Sequence, residues 1–111
     1  MKVLVLIAAL ILSNLVLASP VDSCLENINQ SLRIAENRAA SGGYAGSPQS
    51  VTECMIIAMS KARCYSEKDP SKLCQIKLNA MLEAGRNAGM QGGGRVSDSW
   101  ITQEAKRISG C

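Results

Sequence analysis

Five cysteines are the residues of this sequence best suited to chemistry: Cys24, Cys54, Cys64, Cys74 and Cys111. The sequence contains no histidine, so the usual general base for a cysteine or serine nucleophile is missing, and so is the commonest metal ligand. The cysteines also lack the paired spacing, with about two residues between ligands, that zinc sites use. We therefore expect disulfide bonds, and neither catalysis nor a bound metal or cofactor.

The first eighteen residues have the pattern of a secretory signal peptide. Lys2 gives a basic start, an uncharged apolar run follows, and Val16-Leu17-Ala18 fits a signal-peptidase site. We expect cleavage after Ala18, which leaves residues 19–111 as a secreted, extracellular domain. An uncleaved membrane anchor is the alternative, but the apolar run falls just short of the roughly 17 to 25 residues that span a bilayer.

The charge of the chain argues against two classes of partner. The sequence carries 12 Lys and Arg against 9 Asp and Glu, and these charges are scattered along the chain after the leader. A nucleic-acid-binding protein needs a basic stripe, and a helix that lies on a membrane needs one cationic face. We therefore expect no nucleic-acid partner and no stable membrane insertion.

Helical periodicity runs through the rest of the chain, where apolar residues recur at steps of three and four. Ser23 followed by Glu26 matches the capping box that starts a helix. Ser50 with Glu53 repeats that box, and Asp69-Pro70 supplies an N-cap and a proline at the first helical position. Glycine-rich loops interrupt the pattern twice. These signals predict four helices, at about residues 23–40, 50–68, 70–90 and 98–109.

Short connections between these helices predict an all-α fold, a small disulfide-stapled four-helix up-down-up-down bundle after the signal peptide. The second helix should be its most enclosed element, since Ile56, Ile57 and Met59 lie off its main apolar stripe. In this bundle four cysteines lie at one end. Cys54 stands about ten residues from Cys64, roughly 15 Å along a helix, which exceeds the roughly 7 Å between bridgeable Cα atoms.

Three disulfide pairings remain open for the four clustered cysteines. A bridge between Cys64 and Cys74 across the tight turn is sterically reasonable, with Cys24 and Cys111 as its complement. A faint internal duplication slightly favours Cys24–Cys64 with Cys74–Cys111, each bridge closing one helical hairpin. For Cys54 we expect a buried free thiol; the alternative is an intermolecular disulfide that makes a covalent dimer.

Two further residues are candidate sites. Asn29-Gln30-Ser31 is a glycosylation sequon, although its place within a predicted helix makes the acceptor hard to reach. Tyr44 lies in the first glycine-rich loop, where an exposed aromatic ring is a candidate recognition contact.

Together these features predict a secreted, non-enzymatic factor that acts through a partner-binding surface, of the pheromone-like, seminal-fluid or salivary type. Its partner would be an unknown protein receptor. The alternative is an extracellular carrier of a small apolar ligand, for which the methionines of the bundle could line an adaptable pocket. A membrane-active or antimicrobial protein is the least favoured class, because the cationic side chains are not gathered on one helix face.

Overall fold

A computed structural model describes residues 19–111 of the protein. The predicted signal peptide, residues 1–18, lies outside the described residues. Within the described range the chain is all-helical, without strands, which confirms the predicted all-α class. The four helices are α1 (Pro20–Ala39), α2 (Pro48–Met59), α3 (Pro70–Gln91) and α4 (Asp98–Ser109). Two 3₁₀ segments, Gly42–Tyr44 and Ser60–Cys64, lie between α1 and α2 and directly after α2.

Helices α1, α2 and α3 each begin with a proline that follows a polar N-cap residue. Proline suits this position because its φ is already helical and it has no amide to leave unsatisfied. α1 and α2 therefore begin three and two residues before the starts predicted at about residues 23 and 50. Each N-cap side chain accepts a hydrogen bond from an amide of the first turn: Ser19 from Asp22 at 3.1 Å, Ser47 from Ser50 at 3.2 Å, and Asp69 from Ser71 at 3.0 Å.

The end of α2 differs from the prediction of a helix that continues to about residue 68. The α-helix ends at Met59, a 3₁₀ segment continues to Cys64, and Tyr65 is extended. The hydroxyl of Ser60 donates to the carbonyl of Ile57, a local bond of the kind that competes with the regular α-helical pattern. Apolar periodicity over five residues does not distinguish an α-helix from a 3₁₀ helix. The sequence pattern therefore predicted an end of α2 that lies beyond the observed one.

The pair formed by α2 and α3 is the centre of the structure. α1 packs on both members of this pair, α4 packs mainly on α3, and α1 and α4 make at most marginal contact with each other. Half of the twelve core residues are alanine, which lets the helices approach closely but buries little apolar area per residue. The core consists of Leu32, Ala35, Ala39, Val51, Cys54, Met55, Ala58, Met81, Ala84, Ala88, Ile101 and Ala105.

Two intramolecular disulfides tie the helices together in sequential pairs. Cys24, near the start of α1, is bonded to Cys64 at the end of the 3₁₀ segment that follows α2. Cys74, in the first turns of α3, is bonded to Cys111 just after α4. The Cα atoms lie 5.5 Å and 5.8 Å apart in the two bridges. Intramolecular disulfides of this kind are typical of proteins in an oxidising compartment.

Candidate functional site

The two glycine-rich loops touch each other through Gly46 and Gly92. Gly46 has a φ of +65° and its amide donates to the carbonyl of Ala39 at 2.8 Å. A Cβ atom on Gly92 would lie 2.1 Å from the backbone nitrogen of Gly46, so only glycine fits there. Arg95 adds a hydrogen bond from its Nη1 to the carbonyl of Ala45 at 2.9 Å. The first loop is therefore fixed against the end of α3.

Tyr44 is displayed by this fixed loop. Its carbonyl accepts hydrogen bonds from the amide of Ser47 at 3.0 Å and from the hydroxyl of Ser50 at 2.9 Å. The side chain of Tyr44 is 70% exposed, and Met90, in the last turn of α3, is 76% exposed. A rigid backbone that presents an exposed aromatic ring loses little conformational entropy on binding. The sequence-predicted candidate thus lies on a preorganised surface, the Tyr44 loop.

An open groove lies near the Cys24–Cys64 bridge, over the second half of α2 and the 3₁₀ segment that follows. Its volume is about 770 Å³. Arg63, Glu67 and Lys77 are the charged side chains in its lining. We call it the apolar groove, because its lining includes six aliphatic or methionine side chains: Ile28, Ile56, Ile57, Met59, Ala62 and Leu73.

A second open pocket continues the apolar surface toward α4. It has a volume of about 570 Å³, shares Ile56 and Ile57 with the apolar groove, and reaches Trp100. α2 has the largest share of buried residues among the four helices, which agrees with the prediction that it is the most enclosed. Ile56 is nevertheless 47% exposed. The reason is that α1 and α4 do not close over this side of α2. In the sequence, the one indication of this exposed apolar surface was that Ile56 and Ile57 lie away from the main apolar stripe of α2.

Cys54 is the cysteine without a disulfide partner, and it is fully buried in the core. Burial raises the pKa of its thiol from 9.0 to about 11, with a further rise from the negative charges of Glu36 and Glu53 that outweighs the effect of Arg38. The thiol is therefore protonated near neutral pH, and the thiolate is the reactive form. A disulfide to a second copy would require the core to open.

We expect Cys54 to be unreactive in the folded protein. Iodoacetamide should leave the native chain unmodified at pH 8 and should label one thiol per chain in denaturant without reductant. The Cys54→Ala variant is the control and should take up no label. Gel mobility should show a monomer with and without reductant; a dimer band that reductant removes would contradict this.

Asn29 lies in the middle of α1 and is half-buried. Its amide lines a small polar pocket together with Lys61 and Glu83. A glycan on Asn29 would have to be attached before α1 packs against its neighbours, because the helix limits access to the side chain. The candidate glycosylation site therefore remains a prediction.

Within residues 19–111 no helix is long and apolar enough to cross a membrane. The acidic and cysteine side chains of the same range form no group of three that could hold a metal ion. Comparisons with protein-family models, with curated proteins and with solved structures find no match to this chain.

Proposed function

We propose that this chain is exported through its N-terminal leader and acts outside the cell as a non-enzymatic factor that binds a protein receptor. Export is supported by the basic start and uncharged apolar run of the leader. The two intramolecular disulfides support it independently, since thiols stay reduced in the cytosol.

We propose further that the four helices alternate in direction. The Cys24–Cys64 bridge joins the start of α1 to the segment after α2, while an ion pair of 3.2 Å joins Arg38, near the end of α1, to Glu53 in the first half of α2. Opposite ends of the two helices are therefore paired, as an antiparallel arrangement requires. The contact between Gly46 and Gly92 brings the first loop to the end of α3, which fits the same arrangement.

The observation that carries the receptor-binding proposal is the Tyr44 loop. The side chain of Tyr44 is 70% exposed and lies outside the core, yet the loop beneath it is held by several hydrogen bonds and a glycine contact. Tyrosine is enriched among the few residues that carry most of the energy of protein interfaces. A fixed backbone beneath such a residue suits recognition of a partner.

A secreting cell line tests both parts of the proposal. Mass spectrometry of the protein recovered from the medium should find Ser19 as its N-terminus. The labelled protein should then bind saturably to one member of a panel of receptor extracellular domains. Tyr44→Ala should weaken that binding at least tenfold, as loss of an interface anchor does. Ile34→Ala is the control, because Ile34 is 60% exposed on α1 and lies outside both the loop and the apolar groove.

Two outcomes would contradict this proposal. Recovery of the protein only from inside cells, with Met1 retained, would refute export. Saturable binding that Tyr44→Ala leaves unchanged would show that another surface contacts the receptor.

A carrier function is the second candidate, and a separate observation favours it. The apolar groove has a volume within the range of roughly 300 to 1,000 Å³ that small-molecule sites occupy. Its lining combines apolar side chains with three charged ones, Arg63, Glu67 and Lys77, that could orient a ligand. In this function the ligand would lie in an open groove on the side of α2.

A further inference from the structure

We propose that the apolar groove binds a long-chain carboxylate. In this assignment Arg63 and Lys77 bind the carboxylate, and the hydrocarbon chain lies over Ile56 and Ile57 toward Trp100. This inference rests on the carrier function proposed above and names the class of its ligand.

The cations of the groove are the first part of the argument. The four ion pairs found among residues 19–111 use other basic side chains, so neither Arg63 nor Lys77 has a carboxylate within 4.0 Å. Glu67, the one acidic residue in the lining, accepts a hydrogen bond from the amide of Asp69 at 3.0 Å and so is engaged by the turn. The groove therefore offers two unpaired cations to an anionic group.

The segment that carries these two cations, residues 61–77, has a net positive charge. Residues 61–77 carry five basic and two acidic side chains, so this short segment holds more net positive charge than the remainder of the described chain. These basic residues are spaced along the segment and form no continuous basic stripe in the sequence. Arg63 and Lys77 of this segment line the groove, whereas Lys61 lines the polar pocket beside Asn29. A carboxylate is attracted to such a region, and charge-assisted hydrogen bonds to Arg and Lys are among the stronger polar contacts.

The shape of the apolar surface argues for a single hydrocarbon chain. The groove and the second pocket share Ile56 and Ile57, so the apolar surface continues from the groove to Trp100. The groove, at about 770 Å³, has the volume of a small-molecule site. A long, narrow ligand with one charged end fits both the cations and this strip.

Trp100 provides a direct readout, because it is the single tryptophan of the chain. The oxidised protein of residues 19–111 is titrated with oleate, and in parallel with oleyl alcohol, both below their aggregation limits. We expect a saturable change in Trp100 fluorescence with oleate, and an affinity for the alcohol that is about tenfold lower because the headgroup contacts are lost.

Charge variants locate the headgroup. The double variant Arg63→Gln with Lys77→Gln should lower oleate affinity at least tenfold and leave the alcohol unaffected. The double variant Lys68→Gln with Lys72→Gln makes the same charge change on side chains outside the lining, and it should keep most of the affinity. Ile56→Ser should weaken both ligands, since it removes apolar surface beneath the hydrocarbon chain.

The outcomes separate this inference from the carrier function. Equal affinity for oleate and oleyl alcohol would overturn the headgroup assignment and leave the carrier function standing. Binding of neither ligand would refute both. Binding to phosphatidylglycerol vesicles without binding of monomeric oleate would overturn the inference in favour of a membrane surface. If the two charge variants lost oleate affinity equally, the carboxylate would be attracted by the overall positive charge of residues 61–77. That result would contradict the assignment to Arg63 and Lys77.

Discussion

Gly92→Ala is expected to destabilise the fold by about 3 kcal/mol or more. The added Cβ would lie 2.1 Å from two backbone atoms of Gly46 and 3.0 Å from the carbonyl oxygen of Ala39, and no flexible side chain can move aside there. The φ of Gly92 is −85°, which alanine adopts without strain. On conformational entropy alone the substitution would stabilise the protein by about 0.4 to 1 kcal/mol. A loss of unfolding free energy would therefore show that the two loops are in contact at this position.

Gly43→Ala is the matched control for this experiment. Gly43 lies in the same pair of loops, has no positive φ, and has no atom within 4 Å of a Cβ built on it. Its substitution should be neutral or slightly stabilising. Urea denaturation followed by circular dichroism, with the disulfides intact, measures both variants. Equal stability of Gly92→Ala and the parent chain would show that the two loops do not pack as described.

A polar N-cap residue followed by proline occurs three times in the sequence and marks the start of a helix each time. Asp69-Pro70 gave the start of α3 correctly, and Ser47-Pro48 has the same form at the start of α2. Ser19-Pro20 has this form at the start of α1 as well, whereas the capping boxes that follow these two pairs predicted later starts for α1 and α2. In both helices the polar N-cap followed by proline forms the true start, and the serine of the capping box lies inside the helix.

The functional surfaces were only partly predictable. Tyr44 stands between glycines, and local sequence alone marks it as exposed. The contact of Gly46 with Gly92 joins residues that are distant in sequence, and Arg63 and Lys77 line one groove from different elements. Both arrangements follow from packing and not from periodicity. The exposure of Ile56 depends on α1 and α4 leaving one side of α2 open, which no pattern within α2 specifies.

Removal of the Cys24–Cys64 bridge, by the double variant Cys24→Ala with Cys64→Ala, is expected to cost about 4 kcal/mol. The bridge closes a loop of 40 residues, and in the chain-entropy model a loop of this length greatly restricts the unfolded chain. The alanine-rich core has little reserve against this loss. Domains of this size have a total stability of about 5 to 15 kcal/mol, so the variant should be close to unfolding at 37 °C.

The second bridge tests the cause of that loss. Cys74–Cys111 closes a loop of 37 residues, so chain entropy predicts that Cys74→Ala with Cys111→Ala destabilises the protein nearly as much. The native surroundings of the two bridges differ, because Cys64 is buried whereas Cys111 is exposed at the end of the described chain. Urea denaturation of both double variants, without reductant, distinguishes the explanations. Similar losses of unfolding free energy in the two variants would identify restriction of the unfolded chain as the origin. A much larger loss on removal of Cys24–Cys64 would identify packing around the buried sulfur. Unchanged urea midpoints in both variants would contradict the stabilising role of the bridges.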